Sequence, residues 1–263
     1  MLNKTPRLLV GYLGVVALVA TAGPSAADAG SSRDKDDGLN PITRPLPVDS
    51  RHNKDGSITV RVCYNWSCAS REHVTFTAAD LAAVKAYLTQ CAGSSLYDRV
   101  QTLRVGIWQL QLVAQKYLPK LANDREINEF DREVEGRLDC VDSASNTTNY
   151  LKILQDLGQL PGWTVTGAEV RNLLDFHGVH WTAVVIDNKT GTRWSVDSWF
   201  RPHGHLPFVM PLADWVKDKK AWEPPFNRQN PYPDSIQDLC PTPRTATAVE
   251  PAPDITAIAT LRR

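Results

Sequence analysis

The stretch that most constrains the fold runs from Gly136 to Pro161, GRLDCVDSASNTTNYLKILQDLGQLP. Val141, Ala144, Thr148, Leu151, Leu154 and Leu157 recur three or four apart, so they share one face of a helix that needs a core to lie on. Asp139 or Asp142 is placed to cap its start, and Gly158 followed by Pro161 ends it. Cys140 therefore falls in the first turn. There the free N–H groups and the macrodipole favour an anion, so a thiol ionises more readily, as a cysteine nucleophile requires. The competing reading is a small core residue or half of a disulfide.

With 263 residues, 42% of them hydrophobic, the chain can bury one sizeable core, and one domain with flexible ends is expected. Its 29 basic and 29 acidic side chains cancel, which argues against a nucleic-acid partner. Lys4 and Arg7 precede the apolar run from Leu8 to Ala22, too short for a spanning helix, and Ala27-Asp28-Ala29 forms a small-x-small cleavage pattern. Residues 1–29 thus read as a secretory signal peptide. The expected product is exported, periplasmic or secreted, with no stable membrane anchor after cleavage.

Export implies an oxidising compartment in which cysteines pair. There are five: Cys63, Cys68, Cys91, Cys140 and Cys240. An odd number leaves one over. Cys63 and Cys68 can close a short loop and Cys91 and Cys240 can tie a helix end to the tail, although four cysteines allow three pairings. Cys140, heading a long helix, is the expected free thiol.

Taken in order, residues 30–54 read as a Pro-rich linker, 55–222 as the folded domain, and 223–263 as a largely disordered Pro-rich tail. Ser57 to Tyr64 alternates as a strand with His73 to Thr77 as its partner. Thr77 with Asp80 resembles a capping box opening a helix from Ala78 to about Cys91. A second helix starts at Ser94 or Ser95 and runs to about Leu118; Ala122 to Arg137 reads as a charged surface connection. Beyond Pro161 the period changes to that of strands. Trp163 to Val165 is a weak strand, Val179 to Ile186 a strong one, and Thr192 to Trp199 its return across the turn cluster Asp187 to Gly191. Pro211 to Lys217 reads as a short helix docked by Leu212, Trp215 and Val216.

The hairpin carries His180 near its entry and Asp197 near its exit. If Ile186 pairs with Gly191, His180 stands opposite Asp197, with Cβ atoms about 5 Å apart, close enough to orient the imidazole. A five-residue loop puts Asp197 opposite Trp181, on the wrong face. The sequence leaves both registers open.

Cys140, His180 and Asp197 follow in the order nucleophile, base, orienter. A cysteine-headed helix, then His180-Trp181, then Gly191-Thr192-Arg193-Trp194-Ser195-Val196-Asp197, resembles the transglutaminase-like branch of the papain-like superfamily over roughly residues 135–200. The resemblance implies an α+β core in which a cysteine-bearing helix packs on an antiparallel sheet, here with an N-terminal β-hairpin and two helices. It also implies thiol chemistry on amide bonds through a thioester, and members include bacterial cysteine peptidases and acyl transferases. The chain departs from the papain pattern where a Gln precedes the cysteine: it has Glu133-Val134-Glu135-Gly136. Asp139-Cys140 is also similar to cell-wall peptide endopeptidases of the superfamily.

The expected function is an exported thiol-dependent amide hydrolase or acyl transferase acting on a protein or peptide, cell-wall peptide included, with no cofactor. A catalytically inactive binding module and a disulfide-stabilised structural protein are the alternatives. Trp181, Asn146 and Trp199 are candidates for substrate binding, although at least two of Trp181, Trp194 and Trp199 are expected in the core. His177 is a weaker candidate base. His203-Gly204-His205 resembles a metal pair, but without further ligands nearby it reads as a loop.

Overall fold

The computed structural model describes residues 32–33, 44–91, 93–125, 133–171 and 179–217. Residues 1–29, read above as a signal peptide, lie outside the described residues, as do His177, Cys240 and the Pro-rich tail. Among the described residues, two antiparallel four-stranded sheets and four α-helices make an α+β fold. The first sheet holds β1 (Ser32–Arg33), β2 (Ser50–His52), β3 (Ile58–Tyr64) and β4 (Ser70–Phe76), in the order β1-β4-β3-β2. Helices α1 (Ala78–Leu88), α2 (Leu96–Tyr117) and α3 (Cys140–Asp156) follow. The second sheet, ordered β5-β6-β7-β8, holds β5 (Trp163–Arg171), β6 (His180–Asp187), β7 (Arg193–Asp197) and β8 (Phe208–Pro211), and α4 (Leu212–Lys217) closes the described chain. No helix among the described residues is long and apolar enough to cross a membrane.

The helices begin where capping chemistry places them. Thr77 with Asp80, Ser95 with Asp98, and Asp139 with Asp142 each form a reciprocal capping box. Of the two candidate caps for α3, Asp139 is the one used. Helix α3 lies against β3 of the first sheet and β5, β6 and β7 of the second, with α2 beside it. It is therefore buried nearly all round rather than on one face: Ser145, Asn146, Thr147 and Asn149 are as inaccessible as Leu151. Val60, Leu81, Leu103, Leu151, Val185 and Val196 join both sheets and helices α1 to α3 in one apolar cluster.

Burial of polar side chains demands partners, and β3 supplies them. The short β2 pairs only with Ile58 to Val60, leaving the rest of that β3 edge without a strand. The Asn146 amide accepts from the Cys63 N–H (2.7 Å) and donates to the Cys63 carbonyl (2.8 Å). Asn149 donates to the Arg61 carbonyl and accepts from the Asp49 N–H, both at 2.9 Å. One turn apart, the two amides take the place of the missing strand.

Several sequence expectations need correction. The segment read as a linker contributes strands, since Ser50–His52 pairs with β3 and Ser32–Arg33 with β4. The weak strand at Trp163 runs on to Arg171, because a bulge between Val165 and Gly167 absorbs an irregular residue and pairing then continues to Arg171 opposite His180. Strand β8 was not anticipated; it is short and shows no alternation. At the described ends of the charged connection, Asp124 and Arg137 are buried rather than at the surface. Val216 is 46% exposed, so Leu212 and Trp215 alone dock α4.

Gly136 turns the chain into α3 with φ +94°, and a Cβ there would stand 1.9 Å from the Lys120 carbonyl oxygen, a backbone atom that cannot move aside. Gly158, with φ +70°, has nothing within 4 Å of such a Cβ. Gly136→Ala is therefore expected to cost about 3 kcal/mol or more in urea unfolding, and Gly158→Ala only about 1 kcal/mol.

Candidate active site

His180 opens β6 and Asp197 closes β7, and the structure joins them: His180 Nε2 lies 2.7 Å from Asp197 Oδ2, with the side chains 1% and 2% exposed. The register is neither of the two considered from sequence. Ile186 pairs with Arg193 and Ala183 with Val196, so Asp197 falls opposite Thr182, one step along the same face from His180. The shift from the Ile186–Gly191 pairing is two residues, and a shift of two preserves the face. The turn between them is closed by Gly191 and Thr190 N–H groups donating to the Asp187 carbonyl, with Asp187 N–H donating to Thr192.

Asp197 is held by three donors. Its Oδ1 accepts from the Trp199 backbone N–H (3.2 Å), and its Oδ2 accepts from the Trp215 indole N–H (2.9 Å) as well as from His180. As the acceptor, Asp197 places the imidazole proton on Nε2 and leaves Nδ1 as the basic nitrogen. Aromatic rings enclose the imidazole: Trp199 at 4.9 Å, Phe200 at 5.1 Å and Trp215 at 5.5 Å between centroids. Trp215, Phe200 and Arg171 were not recognised as site residues from the sequence. No motif marks them, because their place depends on β8 and on how β5 is extended.

Cys140 is the free cysteine among the described residues. Cys63 and Cys68 form a disulfide, and Cys91 is also disulfide-bonded, its expected partner Cys240 lying outside the described residues. The Cys140 sulfur sits 4.0 Å from the Val179 carbonyl oxygen and receives the Trp181 backbone N–H, so it lies against the backbone on either side of His180. It packs on the Trp199, Phe200 and Phe208 cluster that also touches the imidazole. Among the described residues the thiol makes no hydrogen bond to His180; its donor contact is the Val179 carbonyl.

The expected acidification of Cys140 is not what the structure produces. Burial, then the carboxyl of Asp139, push the thiol well above its usual range, with Asp197 and Asp142 acting in the same sense and only the Trp181 N–H opposing them. The macrodipole at this helix end is offset by capping acids placed close to the sulfur. Asp139 and Asp142 are themselves buried and raised, chiefly by desolvation, and each carboxyl accepts the other's backbone N–H; Asp142, fully enclosed, is raised the further.

These carboxyls bind a left-handed turn. Asn65, Trp66, Ser67 and Cys68 all have positive φ, between 52° and 65°. Their four N–H groups donate in succession to the Arg137 carbonyl, Asp142 Oδ2, Asp139 Oδ2 and Asp142 Oδ1, at 2.6–2.9 Å. The Cys63–Cys68 disulfide closes the same turn and packs with Val141 against Cys140 and Trp181.

The remaining candidates divide. Trp181 is half-buried beside the disulfide and Cys140. Trp199 is 4% exposed and lies on the imidazole, and Trp194 is in the core, edge-on to Trp163. Asn146 faces the β3 edge, with its amide occupied by Cys63. His203 donates from Nε2 to the Gln111 carbonyl and His205 from Nδ1 to the Pro202 carbonyl, so each ring is engaged by backbone. A cavity of about 10 Å³ between Ser143, Tyr150, Ser198 and His203 has room for one water-sized group and does not reach Cys140 or His180. Comparison with family models, with curated proteins and with solved structures returns no match to this chain.

Two measurements check this description. Asn146→Ala leaves the buried Cys63 N–H and carbonyl without partners and is expected to destabilise by about 2–4 kcal/mol in urea unfolding. Burial lowers the pKa of His203 from 6.5 to about 4. Between these values the unfolded chain binds more protons, so the stability that neutral His203 provides is complete above about pH 6.5 and is lost as pH falls towards 4. The raised Asp139 and Asp142 act with the opposite sign, being more favourable at low pH, but are common to wild type and His203→Gln. The difference between those two proteins should therefore shrink by about 3 kcal/mol from pH 7 to pH 4.

Proposed function

We propose that this chain is an exported thiol-dependent amide hydrolase or acyl transferase of transglutaminase-like type, with Cys140 as nucleophile, His180 as base and Asp197 as orienter. The observation that carries the reading is the buried His180–Asp197 pair at 2.7 Å, reached by the backbone beside which the free thiol lies. In this mechanism the imidazole Nδ1 takes the Cys140 proton as the sulfur attacks the carbonyl carbon. The imidazolium then protonates the leaving amine, and water or a second amine resolves the thioester. The raised thiol supports proton transfer concerted with attack rather than a standing thiolate. Backbone N–H groups at the head of α3, that of Cys140 first, are the available donors to an oxyanion. Half-buried Trp181 is placed to contact the acyl segment, whereas Trp199 supports the imidazole from beneath.

A second reading, a binding module without turnover, is favoured by one feature: the thiol is bonded to the Val179 carbonyl and not to His180. The two separate on one experiment. Full-length secreted protein is assayed on peptide amides, cell-wall stem peptides and glutamine-to-amine transfer, and in parallel labelled with iodoacetamide. The hydrolase reading expects turnover and labelling at Cys140. It expects Cys140→Ala to abolish both, and Asp197→Asn to lower turnover on the order of 10⁴-fold while the protein stays folded. Turnover that survives Cys140→Ala would refute it.

A further inference from the structure

We propose that Trp215 is a positioning residue that sets the proton affinity of His180 through the carboxylate they share. Both donate to the same oxygen, Asp197 Oδ2, the indole at 2.9 Å and the imidazole at 2.7 Å. Trp215 is 1% exposed and its ring lies 5.5 Å from that of His180, so it also covers the pair from the α4 side. Its own place is determined from β5: Arg171, directly opposite His180, donates to the Trp215 carbonyl at 2.6 Å and stacks its guanidinium 4.4 Å over the indole. Helix α4 is thus pinned at both backbone and ring, and its indole N–H is aimed at one oxygen.

The chemistry follows from sharing. An N–H on Oδ2 withdraws negative charge from the oxygen that must stabilise the imidazolium, so the pair is weaker than an unshared one. With Trp199 N–H on Oδ1, the carboxylate is also prevented from rotating, which keeps the imidazole plane and its Nδ1 in one orientation. Removing the indole N–H while retaining an aromatic ring returns charge to Oδ2, and His180 should hold its proton more tightly.

The other charged or titratable groups around His180 are Arg171 on β5, Cys140, Asp139 and Asp142 at the head of α3, and the solvent-facing Asp214 and Lys217 on α4. The described residues of β8 contribute none. These are the same with and without the indole N–H, so a difference measurement isolates it. As a statement about catalysis the inference rests on His180 being the base; as a statement about the imidazole it does not.

The test is therefore made first on full-length Cys140→Ala protein, in which activity plays no part. Histidine ring NMR signals are titrated with and without Trp215→Phe, and His180 is assigned through His180→Gln. The expected result is a rise of the His180 midpoint by about half a unit to one unit in Trp215→Phe. An unchanged midpoint overturns the proposal. If Trp215→Phe does not fold, the Trp215 indole N–H signal of the Cys140→Ala protein decides. It should move with the His180 midpoint, and a signal that ignores that titration overturns the proposal equally. In the active protein Trp215→Phe should shift the acid limb of kcat/KM upward by the same amount and lower kcat at constant KM, a pattern that loss of stability alone does not produce. Failure of the thiol reading would remove this last readout and leave the NMR result standing.

Discussion

Two carboxyl groups at the head of a buried helix hold three of four consecutive left-handed residues in place, and the Arg137 carbonyl holds the fourth. Such residues cost roughly 1–2 kcal/mol each. The N–H groups of Trp66, Ser67 and Cys68 offset much of that cost through their bonds to Asp139 and Asp142, at about 0.5–1.5 kcal/mol each. The turn could not persist without the carboxyls, and the buried carboxyls could not persist without the turn. This junction joins the first sheet to the head of α3, and so it decides where Cys140 stands relative to the second sheet.

The same junction shapes the chemistry. A helix N-terminus alone would acidify the thiol, but here the capping acids Asp139 and Asp142 act on it in the opposite sense. The result is a half-buried thiol held above its usual range by burial and neighbouring carboxyls, beside an imidazole oriented by Asp197.

The hairpin shows how a correct face can follow from an incorrect register. From sequence, the turn cluster admitted two loop lengths, and the structure uses neither. Alternation with period two makes a displacement of two residues invisible to the face, so His180 and Asp197 still point the same way. The shorter displacement of one would have separated them. Asn146 illustrates the opposite case. A polar residue on the cysteine helix is placed equally well for a cleft or for a buried amide, and only the truncated β2, which left β3 with unpaired backbone groups, made it structural.

What the sequence determined by itself was local: the capping boxes that start α1, α2 and α3, the strands with clear alternation, the short disulfide loop, and the chain order of thiol, imidazole and carboxylate. These depend on neighbours within a few residues, so spacing reveals them. The tertiary structure decided the rest. It buried α3 nearly all round, turned residues read as a linker into sheet edges, brought Trp215 and Arg171 to the imidazole, and raised the thiol that the helix end alone would have lowered. Each of these depends on groups far apart in the chain whose fields and hydrogen bonds act only at contact distance, and a linear pattern carries no record of that distance.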